Sequence, residues 1–171
     1  MIDPIDPQEN CQQQGAICWR MKDGELEVLL VTSRDTGRWV IPKGWPIAGK
    51  TVAESALQEC WEEAGVVGNL DHTELGAYRY HKRRPKRGDL NCTVAVFSIR
   101  VDHLEDDFPE RDQRRRKWFK PAKAARKVNE PELGLLLHHL ATAPQEILPD
   151  GAFDQECADT PPMAAQTTVG A

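Results

Sequence analysis

The chain has 171 residues, 40% hydrophobic and 29% charged, with 22 basic against 27 acidic side chains and a net charge of −5. That length suits one domain with a proper core, and the composition is that of an ordinary soluble protein. No apolar run approaches the roughly 20 residues of a membrane helix, and the polar, acidic start MIDPIDPQENCQQQG lacks the basic and apolar regions of a secretion signal.

Residues 1–13 read as a loose tail, because Pro4 and Pro7 break any regular element. Ala16–Trp19 and Leu26–Thr32 read as strands joined by the turn signal Asp23-Gly24, a hairpin. Thr32, Ser33 and Arg34 close the second strand with groups that can hold phosphate oxygens. A strand at Arg38–Ile41 leads into the loop Pro42-Lys43-Gly44-Trp45-Pro46. A helix follows from Thr51 to Gly65, then strands at Leu70–Tyr80, Asn91–Val101 and Lys117–Phe119. Pro121 opens a helix at the position where proline is tolerated, and Leu133–Leu140 lies in a last amphipathic helix. Residues 142–171 carry no periodicity and read as a largely disordered tail with a docking stretch around Ile147–Phe153. Strands, helix, strands, helices in that order imply an α+β layered domain with a mixed β-sheet over residues 14–141.

The helix carries the chemistry. Thr51 and Glu54 form a capping box, and Gly65 supplies the left-handed stop. Val52, Ala53, Ala56, Leu57, Cys60, Trp61 and Ala64 follow the 3.6 period and are expected to be buried. Glu59, Glu62 and Glu63 share another face. Three like charges so close repel each other, and a hard divalent cation, which prefers carboxylate oxygens and bridges to phosphates, removes the repulsion.

The stretch from Gly44 to Val66 resembles the Nudix box of the Nudix hydrolases, with Gly44, Glu59, Glu62, Glu63, Gly65 and Val66 at family positions. It departs at Lys50, where the family has Glu, and at Gln58, where it has Arg. Both charges change together, which reads as a rewired loop support. The resemblance implies a Nudix-type α/β/α sandwich. It also implies hydrolysis of a phosphoanhydride with Mg²⁺, for which Mn²⁺ can substitute. Glu59, Glu63 and the Gly44 carbonyl would bind the metal, and Glu62 would be the general base. Thr32-Ser33-Arg34, Arg38–Pro42 and Arg116–Phe119 are similar to the diphosphoinositol polyphosphate phosphohydrolase subgroup, which cleaves diphosphoinositol polyphosphates and diadenosine polyphosphates.

Two basic runs, Arg79–Arg87 and Arg111–Lys120, hold twelve of the 22 basic residues and one of the 27 acidic ones, leaving 10 against 26 elsewhere. Such patches focus anionic ligands. Ser33, Arg34, Arg38, Lys43, Arg83, Arg115 and Lys117 are the candidate phosphate contacts, arginines for bidentate recognition and lysines as point charges. The expected partner is a polyphosphorylated small molecule. No membrane is expected, nucleic acid is disfavoured by the acidity elsewhere and the lack of a binding module, and the sequence specifies no oligomeric state. Trp39, Trp61 and Trp118 read as core, and Trp45 as a residue of the pocket mouth. Of the histidines, only His81 sits where it could touch phosphate. Cys11, Cys18, Cys60, Cys92 and Cys157 are odd in number and scattered, so free thiols and a cytoplasmic location are expected. Two readings stay open beside the first: a hydrolase of another nucleoside diphosphate derivative, and a non-catalytic polyphosphate-binding module.

Overall fold

The structure is a computed structural model and describes residues 10–149. Strands β1 (Asn10–Lys22) and β2 (Glu25–Thr32) form the expected hairpin, turned by Asp23 and Gly24, both at positive φ. Short strands β3 (Trp39–Val40) and β4 (Lys43–Gly44) precede helix α1 (Val52–Ala64). Long strands β5 (Val66–Lys82) and β6 (Leu90–Leu104) follow, then β7 (Arg116–Phe119), α2 (Pro121–Lys127), α3 (Pro131–Thr142) and α4 (Pro144–Ile147). One sheet runs β3-β2-β1-β6-β5, with β4 added on β1 and β7 on β2. β1 and β6 are parallel and the other pairs antiparallel, so the sheet is mixed.

Strand alternation builds the sandwich, since neighbouring side chains point to opposite faces. Ala16, Cys18, Leu29 and Val31 pack with Ala53, Ala56, Cys60 and Ala64 of α1. Ile17, Trp19, Val28 and Leu30 pack on the other face with Leu133, Leu137 and Leu140 of α3. The expected α/β/α arrangement is therefore present.

Several expectations change. β1 starts at Asn10, inside the expected N-terminal tail, because its polar Gln12–Gln14 segment pairs in register with Thr93–Ala95 of β6. Cys11 and Cys92, opposite each other in that register, are joined by a disulfide, so the free-thiol expectation holds for the buried Cys18 and Cys60 but not for this pair. Cys157 lies outside the described residues. At the other end α4 extends the fold past residue 141, with Leu148 buried and Ile147 packed on the core. Of the expected docking stretch, residues 150–153 lie outside the described residues. On α1, Val52 and Trp61 are exposed, since they sit at the margins of the apolar stripe that Ala53, Ala56, Cys60 and Ala64 fill. Trp39 packs edge-on against Phe119 at 5.1 Å, and Trp118 packs against the α1 side of the core. Among the described residues no helix is long and apolar enough to cross a membrane.

Candidate functional site

Helix α1 begins and ends as its sequence dictates. Thr51 and Glu54 complete a capping box, and Gly65 closes the helix at φ 66°. The cap fixes where the helix starts, and so where each glutamate points. The preceding loop is fastened by neutral groups. Ile47 N donates to Ser55 Oγ at 3.1 Å, and Gln14 Nε2 donates to the Trp45 carbonyl at 2.8 Å. Gln58, the departure on the helix, donates from Nε2 to Glu62 Oε1 at 3.0 Å. Lys50, the other departure, is exposed.

A cleft of about 780 Å³ opens over this helix face. Glu59, Glu62, Glu63, Gly44, Ser33, Arg34, Arg38, Lys43 and Arg83 line it, as does Trp45. Arg115 and Lys117 do not. Arg115 stacks over Trp39 at 5.8 Å, and Lys117 lies over Phe119 at 5.5 Å. Of the twelve Lys and Arg side chains in the two basic runs, only Arg79, Lys82, Arg83 and Arg114 line the cleft. The wall is thus mixed, not uniformly basic. Arg34 pairs with Glu110 at 3.3 Å, Arg38 with Glu130, and Arg79 with Glu132 at 2.8 Å.

Sequence reasoning did not single out Arg114, the hub of the site. Its side chain is 9% exposed. It donates from Nη2 to Glu63 Oε1 at 3.0 Å and from Nη1 to the Thr32 carbonyl at 3.0 Å. The Lys43 amide faces Glu63 Oε2 at 3.3 Å, and Lys43 Nζ lies over the Tyr80 ring at 4.8 Å. The Tyr80 hydroxyl donates to Gln13 Oε1 at 2.6 Å. His81, also on the wall, bonds Asn91 and Asp89. The only local signal for Arg114 was membership of a basic run. Gln13, Tyr80, Glu110 and Glu130 depend on tertiary register.

The electrostatics follow from burial and crowding. The Glu59 carboxyl is raised to about 7, first by desolvation, then by Glu62 and Glu110. The Glu63 carboxyl is raised to about 7 by burial, against the pull of Arg114 and Lys43. Burial also lowers the Lys43 ammonium, with Glu63 opposing. Carboxylates that resist ionising in one cleft are a mark of functional sites.

Glu59, Glu62, Glu63 and the Gly44 backbone present oxygen donors of the kind a hard divalent cation takes. Among the described residues no three His, Cys, Asp or Glu side chains form a ready cage. Mg²⁺ does not need one, because it takes one or two carboxylates and keeps water and phosphate oxygens for the rest. Gly44 fits that use: a Cβ there would overlap the Glu59 carboxylate, so only glycine lets backbone and carboxylate meet. The residues present fit such an ion.

A mixed sheet between helix layers, with a carboxylate-bearing helix under a cation-studded cleft, defines the class. Residues 12–140 match the NUDIX domain, and the chain belongs to that family. It is 36% identical over 98 residues to Nudix hydrolase 12, mitochondrial, of Arabidopsis thaliana, covering 56% of this chain and 48% of that one. It is 33% identical over 118 residues to diphosphoinositol polyphosphate phosphohydrolase 3-alpha of Mus musculus, covering 67% of each. The chain spans about half the length of the plant relatives it matches. Among solved structures it is similar to C. elegans Ap4A hydrolase (TM-score 0.55, 18% identity, 77% of this chain and 96% of that one). It is also similar to the NUDIX domain of Shewanella oneidensis NrtR complexed with ADP ribose (TM-score 0.60, 16% identity, 84% and 94%). Those structural likenesses concern the fold alone.

Proposed function

We propose that this chain hydrolyses a phosphoanhydride bond in a densely phosphorylated small molecule, a diphosphoinositol polyphosphate or a diadenosine polyphosphate. The observation that carries the reading is one cleft lined by Glu59, Glu62 and Glu63 together with Arg34, Arg38, Lys43, Lys82, Arg83 and Arg114. The 33% identity to the mouse phosphohydrolase supports the substrate class.

Glu59, Glu63 and the Gly44 carbonyl would hold Mg²⁺ or Mn²⁺. Bound there, the ion would neutralise phosphate charge, orient the anhydride and make a water more acidic. Glu62 is the general base. Gln58 engages its Oε1, which fixes the carboxylate and leaves Oε2 to take the proton of the attacking water, a role that needs hydrogen-bond reach. The water oxygen bonds to phosphorus, the bridging P–O bond breaks, and the departing phosphate carries the released electron pair. Arg114 and Lys43 offer fixed positive charge where negative charge accumulates. Arg34, Arg38, Lys82, Arg83 and the Ser33 hydroxyl orient the outer phosphates.

The test is phosphate release from a diphosphoinositol polyphosphate, diadenosine polyphosphates and a sugar nucleotide, with and without Mg²⁺, for wild type and Glu63→Gln. Metal-dependent turnover of the polyphosphates, lost in the variant, is expected. Turnover of the sugar nucleotide alone would overturn the substrate class. Tight polyphosphate binding without turnover would make the domain a sensor.

A further inference from the structure

Trp45 brings exposed apolar surface into a cleft walled largely by charge. Four large hydrophobic side chains stand exposed among the described residues: Trp45, Val52, Trp61 and Leu135. Of these only Trp45 lines the cleft. It is 46% exposed, so a ligand in the cleft can reach it. A lone apolar side chain on open surface is ordinary. An indole among phosphate-binding cations is not, because it can do nothing for a phosphate except through a cation it holds.

The local structure presents this ring at a fixed place. Lys43 and Gly44 pair with Gly15 and Gln14 of β1. The Trp45 carbonyl accepts from Gln14 Nε2 at 2.8 Å, and Ile47 N donates to Ser55 Oγ at 3.1 Å. Pro46, between those two anchors, has its φ locked by its own ring. A group that stacks on the indole therefore has little chain to order. Lys82, another residue of the cleft wall, places its Nζ over the ring at 5.6 Å, so an indole face is turned toward the cations of the cleft. An anionic phosphate attracts that ammonium more strongly than a ring quadrupole does, and a phosphate that draws Lys82 away leaves the face to a planar group. Tyr80, also on the wall, has no such freedom, with Lys43 over its ring and its hydroxyl on Gln13.

We propose that Trp45 is a specificity-determining residue whose indole stacks on the nucleobase of the substrate. This rests on the reading of the cleft as a phosphate site and deepens it, because it selects the diadenosine polyphosphate over the inositol compound. A purine offers a flat π-face, and stacking on an aromatic ring tolerates any base. An inositol polyphosphate has a puckered, saturated ring fenced by phosphates and offers no such face.

Trp45→Leu keeps an apolar side chain on the loop and removes the π-face. Full-length wild type and variant are titrated by calorimetry with Mg²⁺ and three ligands: adenosine 5′-monophosphate, ribose 5-phosphate and inositol hexakisphosphate. None carries an anhydride, so none is consumed. Wild type is expected to bind adenosine monophosphate about tenfold more tightly than ribose 5-phosphate, the scale of one stacked base. The variant is expected to lose that advantage and to bind the other two ligands as well as wild type or better. Fluorescence of wild type minus Trp45→Leu isolates this indole from the rest of the five tryptophans, and adenosine monophosphate should quench it where ribose 5-phosphate does not. The proposal is overturned, with the phosphate cleft left standing, by any of three results: no preference for the nucleotide over ribose 5-phosphate, a nucleotide affinity that the substitution leaves unchanged, or equal weakening of all three ligands. A wild type that binds none of the three overturns both. A thermal melt checks the fold, and Trp45→Met, which also lacks a ring, replaces the variant if it melts early.

Discussion

Arg114→Ala strips the site of its central cation, and the structure sets the scale of the loss. The guanidinium is 9% exposed and its partner Glu63 7%, so neither charge has water to fall back on. Three contacts go at once, the 3.0 Å bonds to Glu63 and to the Thr32 carbonyl and the 3.5 Å ion pair with Glu110. Breaking a buried pair from one side costs about 3–5 kcal/mol. Glu63 can relieve part of this by taking up a proton, since burial already raises its carboxyl to about 7 and Arg114, ahead of Lys43, pulls it down most. We therefore take about 3 kcal/mol, the low end, which lowers the melting temperature of a domain this size by roughly 6–12 °C. The pH dependence has a definite sign. In the variant the folded carboxyl rises further above its unfolded value, so its contribution is fully present at low pH and lost as pH rises through the folded value. The destabilisation by Arg114→Ala should therefore be larger at pH 8 than at pH 6. Calorimetric melts of wild type, Arg114→Ala, Glu63→Gln and the double variant at both pH values read this out. The double variant should melt above the sum of the single losses. A single-variant shift under 2 °C, or one that shrinks toward pH 8, would refute the argument that the pair is buried and coupled.

Gly44→Ala should abolish metal-dependent turnover, because its Cβ collides with the Glu59 carboxylate, at a stability cost of about 1–3 kcal/mol; assay and melt on the same sample separate the two effects. Divalent-ion affinity should strengthen as pH rises through about 7, since Glu59 and Glu63 titrate there and must lose protons to bind; titration in two buffers of different ionisation enthalpy measures the protons released. Serine at Cys92 opens a loop spanning 81 residues and should destabilise the domain by about 4 kcal/mol on the chain-entropy account, seen as a lower denaturant midpoint. Tyr80→Phe removes the 2.6 Å bond to Gln13 and should cost about 1 kcal/mol with the cleft's carboxylates in place, read from stability and turnover together.

The parts legible in the sequence were those whose causes are local. The capping box and the left-handed Gly65 needed only neighbours a few residues away, so both ends of α1 were placed correctly. The layered α+β domain with its mixed sheet followed from the order of strands and helices, and the family resemblance sharpened it to the α/β/α sandwich. What escaped depended on which strands meet. The Gln12–Gln14 segment looks like a polar tail until its parallel register with β6 buries Gln13 and Gln14. The disulfide was invisible for the same reason, since Cys11 and Cys92 are brought together only by that register. In the second basic run, charge density could not tell Arg114, whose side chain turns inward to Glu63, from Arg115 and Lys117, which rest on aromatic rings outside the cleft.

The parallel pairing of β1 with β6 has a kinetic corollary. Every matched pair along it, from Asn10↔Asn91 to Trp19↔Arg100, keeps a single large separation in the chain, while the β1–β2 hairpin closes over a two-residue turn. Hairpins form in about 1–10 μs, whereas distant strands must first meet the entropy of a long loop. Gln13 and Gln14, which brace Tyr80 and the Trp45 loop, lie on the late-forming half of β1. The nascent chain therefore has a hairpin long before it has a cleft, and its charged groups converge only when the last strands dock.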